Sequence, residues 1–134
     1  MDRKELMAMF NKRPRIGTLS TADMNGNVNV AVFGSPQMVD EETVVMGIGK
    51  NRPLVHLKEN PRAAFIVMEP GETVADWSGA RVYLEAQTVD QEGEFYEDIK
   101  ANIAKMAGQE AARMIFAGVR FKITEVRPIL DMSA

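Results

Sequence analysis

The sequence predicts a mainly β protein, an antiparallel barrel or sandwich of about six strands with helices on its rim. Three observations carry this expectation. Most of the apolar segments are short and alternate, as half-buried strands do, or run as brief continuous stretches, as buried strands do. Only Gln91 to Ala107 has the length and period of a long helix. Short turns or one short helix join consecutive strands, which favours antiparallel neighbours. The 134 residues, 46% hydrophobic and 26% charged, fit one globular domain spanning 1–134.

The elements follow in order. Asp2 to Lys12 reads as a helix with Leu6, Met9 and Phe10 on one face, Asp2 and Glu5 as an acidic capping pair, and Arg13-Pro14 as its stop. Arg15 to Thr21 is a strand, and Asn25-Gly26 turns the chain into the return strand Val28 to Gly34. That strand carries Val28, Val30 and Val32 on one face and Asn29, Ala31 and Phe33 on the other, so it is expected to be covered on both sides. Ser35-Pro36 breaks it, an acidic turn follows at Asp40 to Glu42, and Thr43 to Ile48 is the third strand. Arg62 to Met68 is a continuous apolar strand. Thr73 to Ala80 is irregular and holds the single Trp77, expected to pack at an interface or in the core. Arg81 to Val89 alternates as a strand. In the long helix Phe95, Ile99, Ile103 and Met106 form the apolar stripe, and Gly108 stops it. A short helix from Glu110 to Phe116 and a strand from Gly118 to Leu130 complete the chain.

The stretch from Val44 to Arg62, VVMGIGKNRPLVHLKENPR, concentrates the chemistry. A strand ends in Gly47 and Gly49, a loop presents Lys50, Asn51 and Arg52, and Pro53 opens a short helix that runs to Glu59. Cations at a helix N-terminus, where unbonded N–H groups and the helix dipole already favour an anion, suit a phosphate. Local physics is served equally well by a solvated basic loop, and the two glycines by a strand end. His56, on the short helix, is expected at a surface or interface, outside the site.

Composition narrows the function further. A net charge of -3 argues against general nucleic-acid binding. With no Cys, thiolate catalysis and cysteine-zinc sites are excluded, and the single His56 leaves little room for metal chemistry or a His-based triad, so no metal site is expected. The N-terminus has no signal-peptide pattern and no apolar run reaches transmembrane length, so the expectation is a cytoplasmic protein with no membrane role.

The ordered set of LSTADMNGNVNVAVF, an acidic turn with its strand, and KNRPLVHLKENPRAAFIV resembles the FMN-binding split β-barrel group related to pyridoxamine 5'-phosphate oxidase. The resemblance spans roughly Lys4 to Leu130 and rests on the set rather than on any one motif. It implies a six-stranded antiparallel split barrel that forms a homodimer, with FMN in a groove at the dimer interface. It also implies the cofactor contacts. Ala31, Val32 and Phe33 lie along the flavin. Met46, Gly47, Ile48 and Gly49 contribute backbone groups to the rings and ribityl chain. Lys50, Asn51, Arg52 and Pro53 hold the phosphate, and Arg81 reaches the cofactor from the partner chain. No catalytic side chain is implied, because the flavin carries the redox chemistry against a small-molecule substrate or electron donor. The vitamin-oxidising members have Arg and Lys where this chain has Ala31 and Pro36, and a C-terminal His that this chain lacks after His56. A pyridoxamine phosphate substrate site is therefore not implied. A flavin-binding protein without turnover, an interaction module and a deazaflavin-dependent reductase are the other functions the resemblance admits.

Overall fold

A computed structural model describes residues 1–133. The chain runs α1 (Arg3–Asn11), β1 (Ile16–Ala22), β2 (Val28–Val32), β3 (Gln37–Asp40), β4 (Thr43–Ile48), α2 (Arg52–Glu59), β5 (Arg62–Glu69), β6 (Ser78–Asp90), α3 (Glu94–Ala107), α4 (Gln109–Arg113) and β7 (Ala117–Pro128). The strands form one seven-stranded sheet in the order β2-β1-β5-β6-β7-β4-β3. Every pairing is antiparallel. The sheet curls around a single main core and stays open between its edge strands β2 and β3, a split barrel.

Local chemistry accounts for the elements. The Asp2 side chain accepts from the Glu5 N–H at 2.8 Å and starts α1. In the β1–β2 turn the Asp23 carboxylate accepts from the Asn25 and Asn27 N–H groups, each at 2.9 Å, and Gly26 takes φ +84°. The Asn27 side chain donates to the same carboxylate at 2.9 Å, and this bond foremost, with the backbone ones, holds the Asp23 carboxyl below its usual range. Register shifts between Tyr83 and Leu84 and between Ala86 and Thr88 bend β6 along its long pairing with β7. Those bends help the two longest strands wrap instead of lying flat.

The main core draws on six of the seven strands, with Leu19, Met38, Met46, Phe65, Val82 and Phe121 as its larger members. Leu6 and Phe10 of α1 and Leu54 and Leu57 of α2 join it. A smaller cluster forms on the opposite face of β4, where Val45 meets Ile99 and Ile103 of α3 and Ala112 of α4. β4 is thus buried on both faces.

The strand count departs from the expectation of six. Gln37–Asp40 is a further, four-residue edge strand. Its alternation is too short to register as a pattern, and the pairing shifts between Met38 and Asp40. Besides its pairing with β4 and the buried Met38, it is fastened by Asn11, whose side chain both donates to the Met38 carbonyl and accepts from the Met38 N–H, each at 2.8 Å. β6 begins three residues earlier than the alternation suggested, at Ser78, because Glu69 of β5 pairs it.

β2 is not covered on both sides within the chain. Val28, Val30 and Val32 are 79%, 65% and 75% exposed. Trp77 lies beside the start of β6 and is 37% exposed. His56 is buried, with Nδ1 2.9 Å from Thr21 Oγ1, so its ring ties α2 to β1. The surface position expected for it is corrected: α2 lies against the sheet, and His56 shares its buried side with Leu57.

Candidate functional site

The site begins where β4 ends. Along β4, Met46 and Ile48 point into the main core, each 1% exposed, so their side chains are unavailable to any ligand and only their backbone could serve one. Gly47 faces the other way. A Cβ there would sit 2.5 Å from Ile103 Cδ1 and 3.0 Å from Ile115 Cδ1. Its cross-strand partner is Gly118, where a Cβ would meet Phe95 and Ile99 at 3.2 Å and 3.3 Å. This glycine pair is the seat on which α3 packs directly against the sheet. At Gly49 a Cβ would lie 3.2 Å from the Met114 carbonyl, so this glycine admits the chain after α4. The missing side chains therefore make room for helices first. Gly47→Ala is expected to cost about 1–3 kcal/mol by overpacking against Ile103, seen as a lowered midpoint in urea unfolding.

Next comes the basic loop. Asn51 is the N-cap of α2, accepting from the Leu54 N–H at 3.3 Å, while its own N–H donates to the Gly49 carbonyl at 3.0 Å. Arg52 is the first residue of α2 and Pro53 is buried in its first turn. Lys50 and Arg52 are exposed. Among the described residues neither side chain has a hydrogen bond or an ion pair; Lys50 Nζ lies 5.5 Å from the centre of the Phe116 ring. The first turn of α2 contains no acidic residue. Two cations at the positive end of a helix dipole oppose the usual preference, and such local conflicts are expected where a ligand resolves them.

The loop opens on a groove of about 910 Å³, a size suited to a cofactor. Val32, Phe33, Gly47, Gly49, Lys50 and Asn51 all line it. Its floor is apolar, built from Ile103 and Met106 of α3 and from Ala111, Met114 and Ile115 in and after α4. Arg13, Pro14, Gly34 and Ser35 complete the lining, and Ser35 Oγ donates to the Gly47 carbonyl at 3.4 Å.

The remaining positions sit elsewhere in the chain. Ala31 is half-buried opposite Leu19 and does not line the groove. Arg52 and Pro53 stand just past its rim. Arg81, in β6 opposite Ile66, donates from Nε to the Pro128 carbonyl at 3.0 Å and pairs through Nη2 with Asp131 at 3.2 Å. Within one chain it serves the C-terminal segment. The helical floor and Arg13 escaped the sequence reading. A signal for the floor was present in the exposed apolar Met106 and Met114, but periodicity alone assigns such residues to packing.

Among the described residues no group of three or more His, Asp or Glu side chains is placed to hold a metal. No helix among them is long and apolar enough to cross a membrane.

Comparison with known proteins places these features. An FMN-binding protein from Syntrophomonas wolfei subsp. wolfei superposes with a TM-score of 0.79 at 26% identity, covering 98% of this chain and 90% of that one. HupZ of Group A Streptococcus shares the fold, with a TM-score of 0.77, 16% identity, and coverage of 96% and 94%. So does HutZ, the haem storage protein of Vibrio cholerae, with a TM-score of 0.66, 16% identity, and coverage of 98% and 93%. No curated protein matches the sequence. The family model described as pyridoxamine 5'-phosphate oxidase matches residues 3–129. With nearly the whole chain inside that match, and with the split barrel it entails, this protein belongs to the pyridoxamine 5'-phosphate oxidase family.

Proposed function

We propose that this protein is a homodimeric FMN-binding flavoprotein that carries out a small redox step. The observation that carries the reading is the pair Lys50 and Arg52: cations without anionic partners at an α2 N-terminus that has no acid in its first turn, beside an apolar groove of about 910 Å³. The donor set fits FMN. Its phosphate would take Arg52 in a bidentate fork, Lys50 as a point charge and the first-turn N–H groups of α2. Its rings would lie against the apolar lining. When bound, the flavin itself supplies hydride or electron transfer. The chain's own residues bind and orient it, and the aliphatic floor excludes water. Family membership and the likeness to an FMN-binding protein support the same reading.

Haem is the competing ligand, since one structural relative stores it. The lone imidazole here argues against that, because His56 is buried and engaged with Thr21. The test is a spectrum of the purified protein together with an FMN titration. Flavin absorbance and saturable quenching of flavin fluorescence are expected. A Soret band, a deazaflavin spectrum or no FMN binding would overturn the reading. Bleaching by a nicotinamide donor would then separate turnover from storage.

The second chain is proposed to dock on the outer face of β2 and β1. Val28, Val30 and Val32 lie opposite Ala22, Ser20 and Thr18, and Ala64 and Ile66 of β5 continue the same face. The result is an apolar ridge beside small residues. Three adjacent exposed valines on an edge strand are a liability unless covered. A second copy would cover them and bring its own Arg81 near the groove. Val30→Asp is expected to convert the dimer to monomer at micromolar concentration in light scattering, and to weaken FMN binding with it.

A further inference from the structure

The three residues after α4 are clasped to the end of β4. The Phe116 N–H donates to the Ile48 carbonyl at 2.8 Å. At Gly49 a Cβ would stand 3.2 Å from the Met114 carbonyl, so the bare backbone there lets the segment come close. Ile115, between the two, has its carbonyl held by the Tyr96 hydroxyl of α3 at 3.0 Å. This bracing sets the Phe116 ring beside the basic loop, where Lys50 Nζ lies 5.5 Å from the ring centre. Among the described residues the Lys50 side chain has no hydrogen bond or ion pair.

A lysine is a point charge on a flexible four-carbon stem, and gripping an anion freezes the rotamers of that stem. An aromatic face within about 6 Å attracts the ammonium and so narrows its range beforehand. The ring is neutral, so the ammonium keeps its full charge and has N–H donors left for an anion. A carboxylate in the same place would have neutralised Lys50 and competed with any ligand. Phe116 is 36% exposed and does not line the groove, whereas Lys50, Met114 and Ile115 do. Its position therefore offers it to Lys50 and not to a ligand in the groove.

From this clasp we infer that Phe116 is a positioning residue, which holds Lys50 ready for the cofactor's phosphate and so helps the groove take a phosphorylated flavin in preference to one without phosphate. The inference rests on the FMN reading and adds to it a specificity-determining residue that never touches the cofactor. Met114 and Ile115 of the same short segment supply part of the apolar floor, so one stretch of chain serves both ends of the ligand.

The experiment is a pair of fluorescence-quenching titrations, with FMN and with riboflavin, on wild-type protein, Phe116→Leu, Phe116→Tyr, Lys50→Ala and the double variant Lys50→Ala with Phe116→Leu. Phe116→Leu is expected to weaken FMN about two- to fivefold, the range of an exposed cation–ring contact, and to leave riboflavin unchanged. Phe116→Tyr should keep the wild-type preference for FMN. In the Lys50→Ala background, Phe116→Leu should cost nothing more, because the two residues act as one unit. Melting curves check that each variant folds. An equal loss for both flavins would make Phe116 a support of the apolar floor and overturn the inference. So would an undiminished Phe116→Leu effect in the Lys50→Ala background, or a Phe116→Tyr protein as weak as Phe116→Leu. A nuclear magnetic resonance spectrum of wild-type protein tests the contact without any variant: the Lys50 ε-methylene protons are expected upfield of other lysines through the ring current, and unshifted protons overturn the inference. Absent FMN binding by wild-type protein marks failure of the FMN reading and takes this inference with it, whereas FMN binding that ignores Phe116 overturns this inference alone.

Discussion

Replacing Lys50 and Arg52 together by alanine is expected to abolish FMN binding and leave the barrel intact. Charge-assisted hydrogen bonds contribute about 1.5–3 kcal/mol each. Losing both cations therefore costs roughly 3–6 kcal/mol of binding, on the order of 10²–10⁴-fold in affinity. The fold should not suffer, because both side chains are exposed and neither bonds to protein. Removing positive charge from the first turn of α2 relieves an unfavourable dipole interaction instead. Arg52→Ala alone should cost more than Lys50→Ala, since only the guanidinium can fork onto two phosphate oxygens. Quenching of FMN fluorescence reads the affinity, and far-ultraviolet circular dichroism with a melting curve reads the fold. Undiminished affinity in a folded double variant would remove the phosphate from this corner.

Phe65→Ala is expected to be the most damaging single change to stability, by about 3–5 kcal/mol. Phe65 is 1% exposed in β5, between Leu19 of β1 and Val82 of β6. Its ring lies 5.3 Å from that of Phe10, centre to centre, and occupies the space that a side chain at Gly17 would need. Truncation opens a cavity that rigid strands on both sides cannot close. A fall in melting temperature of roughly 10–15 °C should follow for a domain of this size. The effect should also reach the groove, because the Phe65 ring holds the guanidinium of Arg15, which donates to the carbonyl of the groove-lining Phe33. A loss below about 1 kcal/mol would mean that the core repacks around the gap.

Most of the barrel was legible from local pattern. The β1–β2 hairpin follows from Asn25-Gly26 and the Asp23 carboxylate, and the entry to α2 from Asn51 and Pro53. Each is a decision made within a few residues, so sequence carries it. β3 was not legible, because its pairing with β4 is short and shifted and the side chain that fastens Met38 is Asn11, 27 positions away. Gly47 and Gly49 were legible as special but not in purpose. A glycine announces that space is needed, and only the docking of α3 and α4 shows what fills it. Arg81 was marked as a residue that reaches a cofactor, and within its own chain it binds Asp131 and Pro128.

By itself the sequence determined the strand-rich architecture, the basic turn between β4 and α2, and the absence of thiol and of more than one imidazole. These depend on periodicity, turn chemistry and residue inventory, all of which act over short range or none. Tertiary structure alone decided that α3 and α4 floor a groove, that Arg13, distant from Lys50 in the chain, lines the same groove, and that the β2 valines stand uncovered. Those outcomes are set by which surfaces meet when the sheet curls, and no segment contains that information until its neighbours are in place.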